Sequence, residues 1–160
     1  MKIIIAGAGE VGTHLAKLLS RENFDILLLD EDASKLRDLE ASFDLLTSIG
    51  SPTSIKDLKE VSIEKADLFI AVTPSESVNM TACMLATNLG AKRTLARIDN
   101  YEYLQPVNKE FFKKLGVDYL ANTEHIHTSW EMVKEYPLSR EMLAMSRAFK
   151  NRENENRVIA

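Results

Sequence analysis

The sequence predicts an α/β fold, a doubly wound parallel sheet of six strands with helices on both faces, followed by a C-terminal helical tail. Three observations carry this prediction. Apolar runs of strand length alternate with helix-period segments from Lys2 to about Leu120, the pattern of a parallel sheet covered on both sides. A glycine-rich turn follows the first run directly, and beyond Leu120 the composition becomes polar.

The first strand is Lys2 to Ala6. The helix after it places Val11, Leu15, Leu18 and Leu19 at i, i+4, i+7 and i+8, one stripe facing the sheet. Ile26 to Leu29 form the second strand, ended by Asp30, and the next helix aligns Leu36, Leu39 and Phe43. The third strand, Leu45 to Ile49, closes at Gly50. A hydroxyl within Ser51-Pro52-Thr53-Ser54 caps a short helix that begins with Ile55 and Leu58. The fourth strand, Leu68 to Val72, stops at Thr73-Pro74. Val78, Ala82, Leu85, Ala86 and Leu89 then mark an amphipathic helix that stops at Gly90, where a left-handed residue is expected. Thr94 to Ile98 form the fifth strand. A helix over Val107 to Leu115 ends at Gly116 and leads to a sixth strand, Val117 to Leu120. Ser139 to Ala160 is rich in Arg, Lys, Glu and Asn around Met142, Leu143 and Met145, and is expected to be helical. Asn151 to Arg157 has little to bury. With 160 residues, 45% of them hydrophobic, the chain has enough apolar surface for one well-cored domain at 1–120, with 121–160 as an extension.

A net charge of -4 provides no general attraction for nucleic acid or anionic lipid. The apolar runs are too short to insert in a membrane as a helix, and no signal-peptide pattern opens the chain, so a cytoplasmic location is expected. Cys83 is the only cysteine, which excludes an intramolecular disulfide and a cysteine-based zinc site.

Gly7-Ala8-Gly9-Glu10-Val11-Gly12 matches G-x-G-x-x-G between a strand and a helix, the context in which the motif has meaning. Gly7 permits the tight turn, Gly9 lets a pyrophosphate approach the backbone, and Gly12 lets the helix lie against the strand. The amides of Glu10, Val11 and Gly12 then point at the phosphates along the helix dipole. Asp30 lies 18 residues beyond Gly12 at the end of the second strand, where a carboxylate accepts both ribose hydroxyls and repels a 2′-phosphate. Together these features predict a Rossmann fold that binds NAD(H) or a simple adenine nucleotide. The bland alternative is a structural turn, with Asp30 merely capping the following helix. Thr73 and Arg97 fall at the carboxyl edge of the sheet; Arg97 either reaches a ligand phosphate or pairs with an acid such as Asp99. Glu76 suits a helix start on dipole grounds alone.

His125 and His127 diverge on a helix and lack a third ligand. His14 reads as a packed or surface residue and Cys83 as a small buried hydrophobe. Tyr101, Tyr103, Phe111 and Phe112 read as core or a dimer contact. Hydride transfer needs a substrate site and a proton-exchanging residue, and some 40 polar residues after the sixth strand are too few for a substrate domain. Tyr-x-x-x-Lys is also absent: Gln105, Val107, Thr123 and Arg140 follow Tyr101, Tyr103, Tyr119 and Tyr136 at that spacing. A non-enzyme is therefore expected, with a small NAD-dependent oxidoreductase as the alternative.

Several blocks jointly resemble a known family. They are the run Lys2 to Gly12; Asp67-Leu68-Phe69-Ile70-Ala71-Val72-Thr73 with Glu76 and Asn79-Met80; and Ala96-Arg97-Ile98 followed by Tyr101. They resemble the N-terminal nucleotide-binding domain, of the RCK or KTN type, of the TrkA family of potassium-uptake proteins. The resemblance implies a regulatory domain that binds NAD(H) or ATP/ADP and pairs into a homodimer or higher ring. Such a domain sits on the cytoplasmic face of a potassium-translocating membrane subunit, which it gates when ligand changes the assembly. By position it implies phosphates at Gly9 to Gly12 and Arg97, ribose on Asp30 with Glu31 beside it, adenine near Gly50 and Ser51, and Thr73 beside the ligand. It also implies a crossover helix within 121–160. Gly50-Ser51-Pro52-Thr53-Ser54 departs from the Gly-Asp-Ala-Thr/Ser common in that family, and the proline-led entry to the crossover helix is missing after Asn122.

Overall fold

The computed structural model describes residues 1–122 other than 23, 43 and 44, and three strands at 131–136, 146–150 and 156–159. The chain divides into two compact units, Met1–Thr123 and Glu124–Ala160.

In the first unit, six parallel strands are ordered β3-β2-β1-β4-β5-β6. They are β1 (Lys2–Ala6), β2 (Asp25–Asp30), β3 (Leu46–Ile49), β4 (Leu68–Ala71), β5 (Thr94–Ile98) and β6 (Tyr119–Asn122). The helices are α1 (Glu10–Leu19), α2 (Ala33–Ser42), α3 (Ile55–Glu60), α4 (Glu76–Asn88) and α5 (Pro106–Lys114). This is the doubly wound sheet that the alternating runs predict. Ile3, Ile4, Ile5 and Ala6 are all buried, which requires cover on both faces of β1, since successive side chains point to opposite sides.

One core cluster joins Ile4, Ala6, Phe69, Ala71, Ala96 and Ile98 of the strands to Leu58 of α3 and to Ala82, Cys83 and Ala86 of α4. The small residues along α4 allow that helix to lie close to β4 and β5. Burial pushes the Cys83 thiol up from its ordinary pKa, as suits a small buried hydrophobe. Ser54 accepts the amide of Asp57 and caps α3, and Ser75 does the same for α4 through Val78. At the far end of α4, Gly90 takes φ +110 and its amide returns to Thr87, the left-handed stop expected there.

Two expectations need correction. The sixth strand pairs from Tyr119 rather than Val117. Val117 is buried in the core, and Asp118 accepts the Thr94 amide through its side chain, so the ladder begins only after both residues have been used otherwise. The helical reading of the tail also fails where the tail is described. β7 (Glu131–Tyr136), β8 (Ser146–Lys150) and β9 (Asn156–Ile159) form an antiparallel sheet that pairs Met132 with Phe149 and Ala148 with Val158. Helix propensity of Arg, Lys and Glu is a weak preference that backbone pairing in a sheet overrides. Phe43, His125, His127, Met142, Leu143, Met145 and the stretch 151–155 lie outside the described residues.

Phe69 is fully buried in the central strand β4, whereas the Lys56 side chain is 82% exposed on α3. Phe69→Ala should lower the unfolding free energy by about 3–5 kcal/mol, and Lys56→Ala should change it by no more than about 0.5 kcal/mol, measured by urea unfolding.

Candidate nucleotide site

Sheet order places the site. From β1 the chain moves outward to β2 and β3, then returns across to β4, so a crevice opens at the carboxyl ends of β1 and β4. The glycine turn leaves β1 there and Thr73 follows β4, while Asp30 closes β2 and Arg97 lies near the end of β5.

The three glycines of the turn have different physical reasons. Gly7 adopts φ +108, and a Cβ on it would lie 3.0 Å from the Thr73 amide nitrogen, so the turn rests directly on the end of β4. A Cβ on Gly12 would lie 1.8 Å from the Gly7 carbonyl oxygen; α1 can therefore approach β1 only without a side chain at this position. Gly9 is unlike both. Its φ is -74, open to any residue, and a Cβ there would meet nothing within 4 Å. Neither conformation nor packing demands glycine at that point, and the space above it is free for a group that must approach the backbone.

Beyond Gly9 the helix begins, its first backbone bond running from the Thr13 amide to the Gly9 carbonyl. The amides of Glu10, Val11 and Gly12 have no acceptor within the helix and carry its positive end. Glu10 is exposed.

Asp30 is anchored at the other side of the turn. Its Oδ2 accepts the Ala8 amide at 2.5 Å and its Oδ1 the Asp32 amide at 2.8 Å. Each carboxylate oxygen has two lone pairs, so one on each remains for a pair of hydroxyls. Lys35 Nζ lies 4.0 Å from Oδ1 and 3.9 Å from Asp32. Ser34, through its hydroxyl and amide, holds the Asp32 carboxyl below the usual range. Glu31 is exposed beside them.

Gly50 and Ser51 turn back after β3. A Cβ on Gly50 would crowd the Asp57 side chain at 2.9 Å, and Asp57 Oδ2 accepts the Ser51 amide at 2.8 Å. Packing against Asp57 thus explains this glycine without a ligand. Arg97 pairs with Asp99 at 3.5 Å, one of the two roles expected for it, yet its Nε is buried and has no hydrogen-bond partner among the described residues. Buried donors are rarely left so, and an anionic ligand would satisfy it. Glu76 does more than complement a helix dipole, since its Oε2 accepts the amides of Asp99 and Asn100 at 2.7 and 2.8 Å. Asp57 carries no signal in the sequence beyond being an acid six residues after Ser51, just past the end of β3. The rings of Tyr103 and Phe112 meet at a tilt of 55° with centroids 4.7 Å apart, whereas Phe111 is 58% exposed.

Residues 3–123 match the model of the TrkA-N domain. The chain belongs to the TrkA-N family. This TrkA-N domain is 42% identical over 130 residues to the Trk system potassium uptake protein TrkA of Haemophilus influenzae, covering 80% of this chain and 28% of that protein. It is 32% identical over 124 residues to the TrkA homolog of Methanothermobacter thermautotrophicus, covering 78% of this chain and 55% of that one. The chain therefore spans only part of these relatives, which are named as uptake-system proteins rather than enzymes, in keeping with the missing Tyr-x-x-x-Lys. The fold is shared with the TrkA-N domain of the inner membrane protein ybaL of Escherichia coli, with a TM-score of 0.66 at 13% identity over 76% of this chain and 87% of that one. It is shared also with the GsuK channel bound to NAD, with a TM-score of 0.61 at 20% identity over 74% of this chain and 21% of that one.

The unlike surroundings of the glycines separate their roles experimentally. Gly12→Ala should cost more than about 3 kcal/mol, above the usual range for overpacking, because the atom it strikes is backbone. Gly9→Ala should change stability by no more than about 1 kcal/mol, since restriction of the unfolded chain offsets the poorer capping of α1 by Ala. Guanidinium unfolding of the two variants checks both values.

Proposed function

We propose that the chain is the nucleotide-sensing part of a regulator of potassium uptake. It binds NAD(H) or ATP/ADP at the glycine turn, and ligand exchange changes its assembly and so gates a potassium-translocating membrane subunit. The observation that carries the binding step is the open space above Gly9 next to a carboxylate, Asp30, with a lone pair to spare on each oxygen.

In this reading phosphates rest on the amides of Glu10, Val11 and Gly12, where partial positive charge is already fixed in place. Arg97 adds a guanidinium and satisfies its buried Nε. Asp30, with Glu31 beside it, takes the ribose; the base lies toward Gly50 and Ser51, and Thr73 flanks the ligand. A 2′-phosphate would meet the Asp30 charge, only partly offset by Lys35, so NADP is the poorer ligand. GsuK, which shares the fold, has been seen bound to NAD and to ADP. No helix among the described residues is long and apolar enough to cross a membrane, which fits a domain that reaches the membrane from the cytoplasm through its partner.

Gating by assembly requires that the ligand bind one assembly better than another. A surface suited to self-association lies along α5 and the residue that caps it, where Val107, Phe111 and Leu115 stand exposed at i, i+4 and i+8. Glu110 and Lys114, both exposed, share one flank of that stripe, so an antiparallel second copy brings unlike charges together there.

Thermal unfolding and calorimetry with NAD, NADH, ATP, ADP and NADP test the binding step. A ligand at 100 times its dissociation constant should stabilise the fold by about 2.7 kcal/mol. We expect this from the first four and not from NADP. Gly9→Ala should abolish the response in a fully folded protein, and Asp30→Asn should weaken binding about tenfold or more. No response of the unaltered chain to any of the five would overturn the proposal. For assembly, light scattering should show a multimer that Phe111→Glu converts to monomer; a monomeric unaltered chain, with and without ADP, would remove the α5 contact.

A further inference from the structure

Asn79 lies one turn into α4 and is 1% exposed. Its Oδ1 accepts the Thr73 amide at 2.8 Å and the Thr73 hydroxyl at 2.7 Å. Its Nδ2 donates to the Thr73 carbonyl at 3.0 Å and to the Arg97 carbonyl at 3.0 Å. All four of its hydrogen-bonding capacities are used. One side chain thus joins the residue that follows β4 to the residue near the end of β5. The Thr73 peptide in turn supports Gly7, whose Cβ position lies 3.0 Å from the Thr73 nitrogen and 3.1 Å from the Val72 carbonyl carbon. One turn earlier on the same helix, Glu76 holds the amides of Asp99 and Asn100.

We propose that Asn79 is a positioning residue of the nucleotide site, setting the separation between the support of the glycine turn and the strand that carries Arg97. The proposal rests on the nucleotide-binding reading above. Only a side chain with paired acceptor and donor on a short stem makes this connection. A carboxylate would set negative charge against two carbonyl oxygens, and leucine would take away the acceptor of the Thr73 amide and the donor shared by the Thr73 and Arg97 carbonyls. Asn79 makes its contacts with backbone and with Thr73, so its effect on ligand passes through them. A residue that merely supported the fold would alter stability while leaving the affinity of the folded protein unchanged.

Asn79→Asp tests this in the whole chain, with ADP and NAD as probes, by calorimetry at a temperature where both proteins are folded. At pH 7.5 the variant should bind about tenfold more weakly. Burial and the two facing carbonyls raise the pKa of the introduced carboxyl, so protonation at pH 5.5 restores a donor. The ratio of variant to unaltered dissociation constants should therefore fall between pH 7.5 and 5.5. Glu76 on α4 and Arg97 and Asp99 around the end of β5 are the charged groups near this position; they are common to both proteins, and the ratio removes their effect. Equal affinities at pH 7.5, or a deficit independent of pH, would overturn the positioning role. If the variant does not fold, NMR of the unaltered chain decides: titration with ADP should shift the Asn79 side-chain amide together with the Thr73 backbone amide, and an unmoved Asn79 signal would overturn the proposal. Failure of the unaltered chain to bind either nucleotide would overturn the underlying reading as well, a result distinct from equal binding by both proteins.

Discussion

A methyl group at Gly12 would sit 1.8 Å from the carbonyl oxygen of Gly7, so α1 leaves β1 along a path that only bare backbone permits. That contact sets the direction in which the first amides of α1 point. It also presses the Gly7 turn onto Thr73, which transfers the position of β1 to the end of β4. From Thr73 the same constraint passes through Asn79 to Arg97 on β5. Four parts of the carboxyl edge are thereby held by backbone contact and buried hydrogen bonds rather than by long surface side chains. Such arrangements adopt a few discrete geometries because packed interiors are dense.

The hydrogen bonds at this edge also explain why polar residues there tolerate burial. Asn79 is buried with its capacities filled, and Thr94 meets the Gly116 carbonyl and the Asp118 carboxylate. Arg97 is the exception, with a buried Nε that has no partner among the described residues. An anionic ligand would satisfy this donor, as it would the free amides at the start of α1.

Much of the sheet was legible in the sequence because buried parallel strands read as continuous apolar runs, as in Ile3-Ile4-Ile5-Ala6, and because Gly90 stops α4 by a local rule. The glycine turn and Asp30 were legible from spacing. The differing duties of Gly7, Gly9 and Gly12 were visible only as a motif, since what a side chain would strike depends on Thr73, Val72 and the turn itself. Asn79 and Asp57 were hidden for a related reason: an Asn or Asp in a polar-looking helical turn shows no sign of the distant carbonyl or amide that it meets. The sixth strand was misplaced by two residues because Val117 reads as strand by composition while its burial belongs to the core under α5. The strands within Ser139 to Ala160 are hidden because the register that joins Ala148 to Val158 is a relation between two segments, which a helix-like local composition of Arg, Lys and Glu does not show.

Asp30 fastens the glycine turn to the segment after β2 through the Ala8 and Asp32 amides, and this bears on the heat and entropy of any recognition at the turn. A loop already fastened loses little motion when a guest arrives, so association need not wait for coil to become ordered. On the regulatory reading proposed above, a message sent onward would be carried by small displacements of packed strands and helices rather than by a segment freezing or melting.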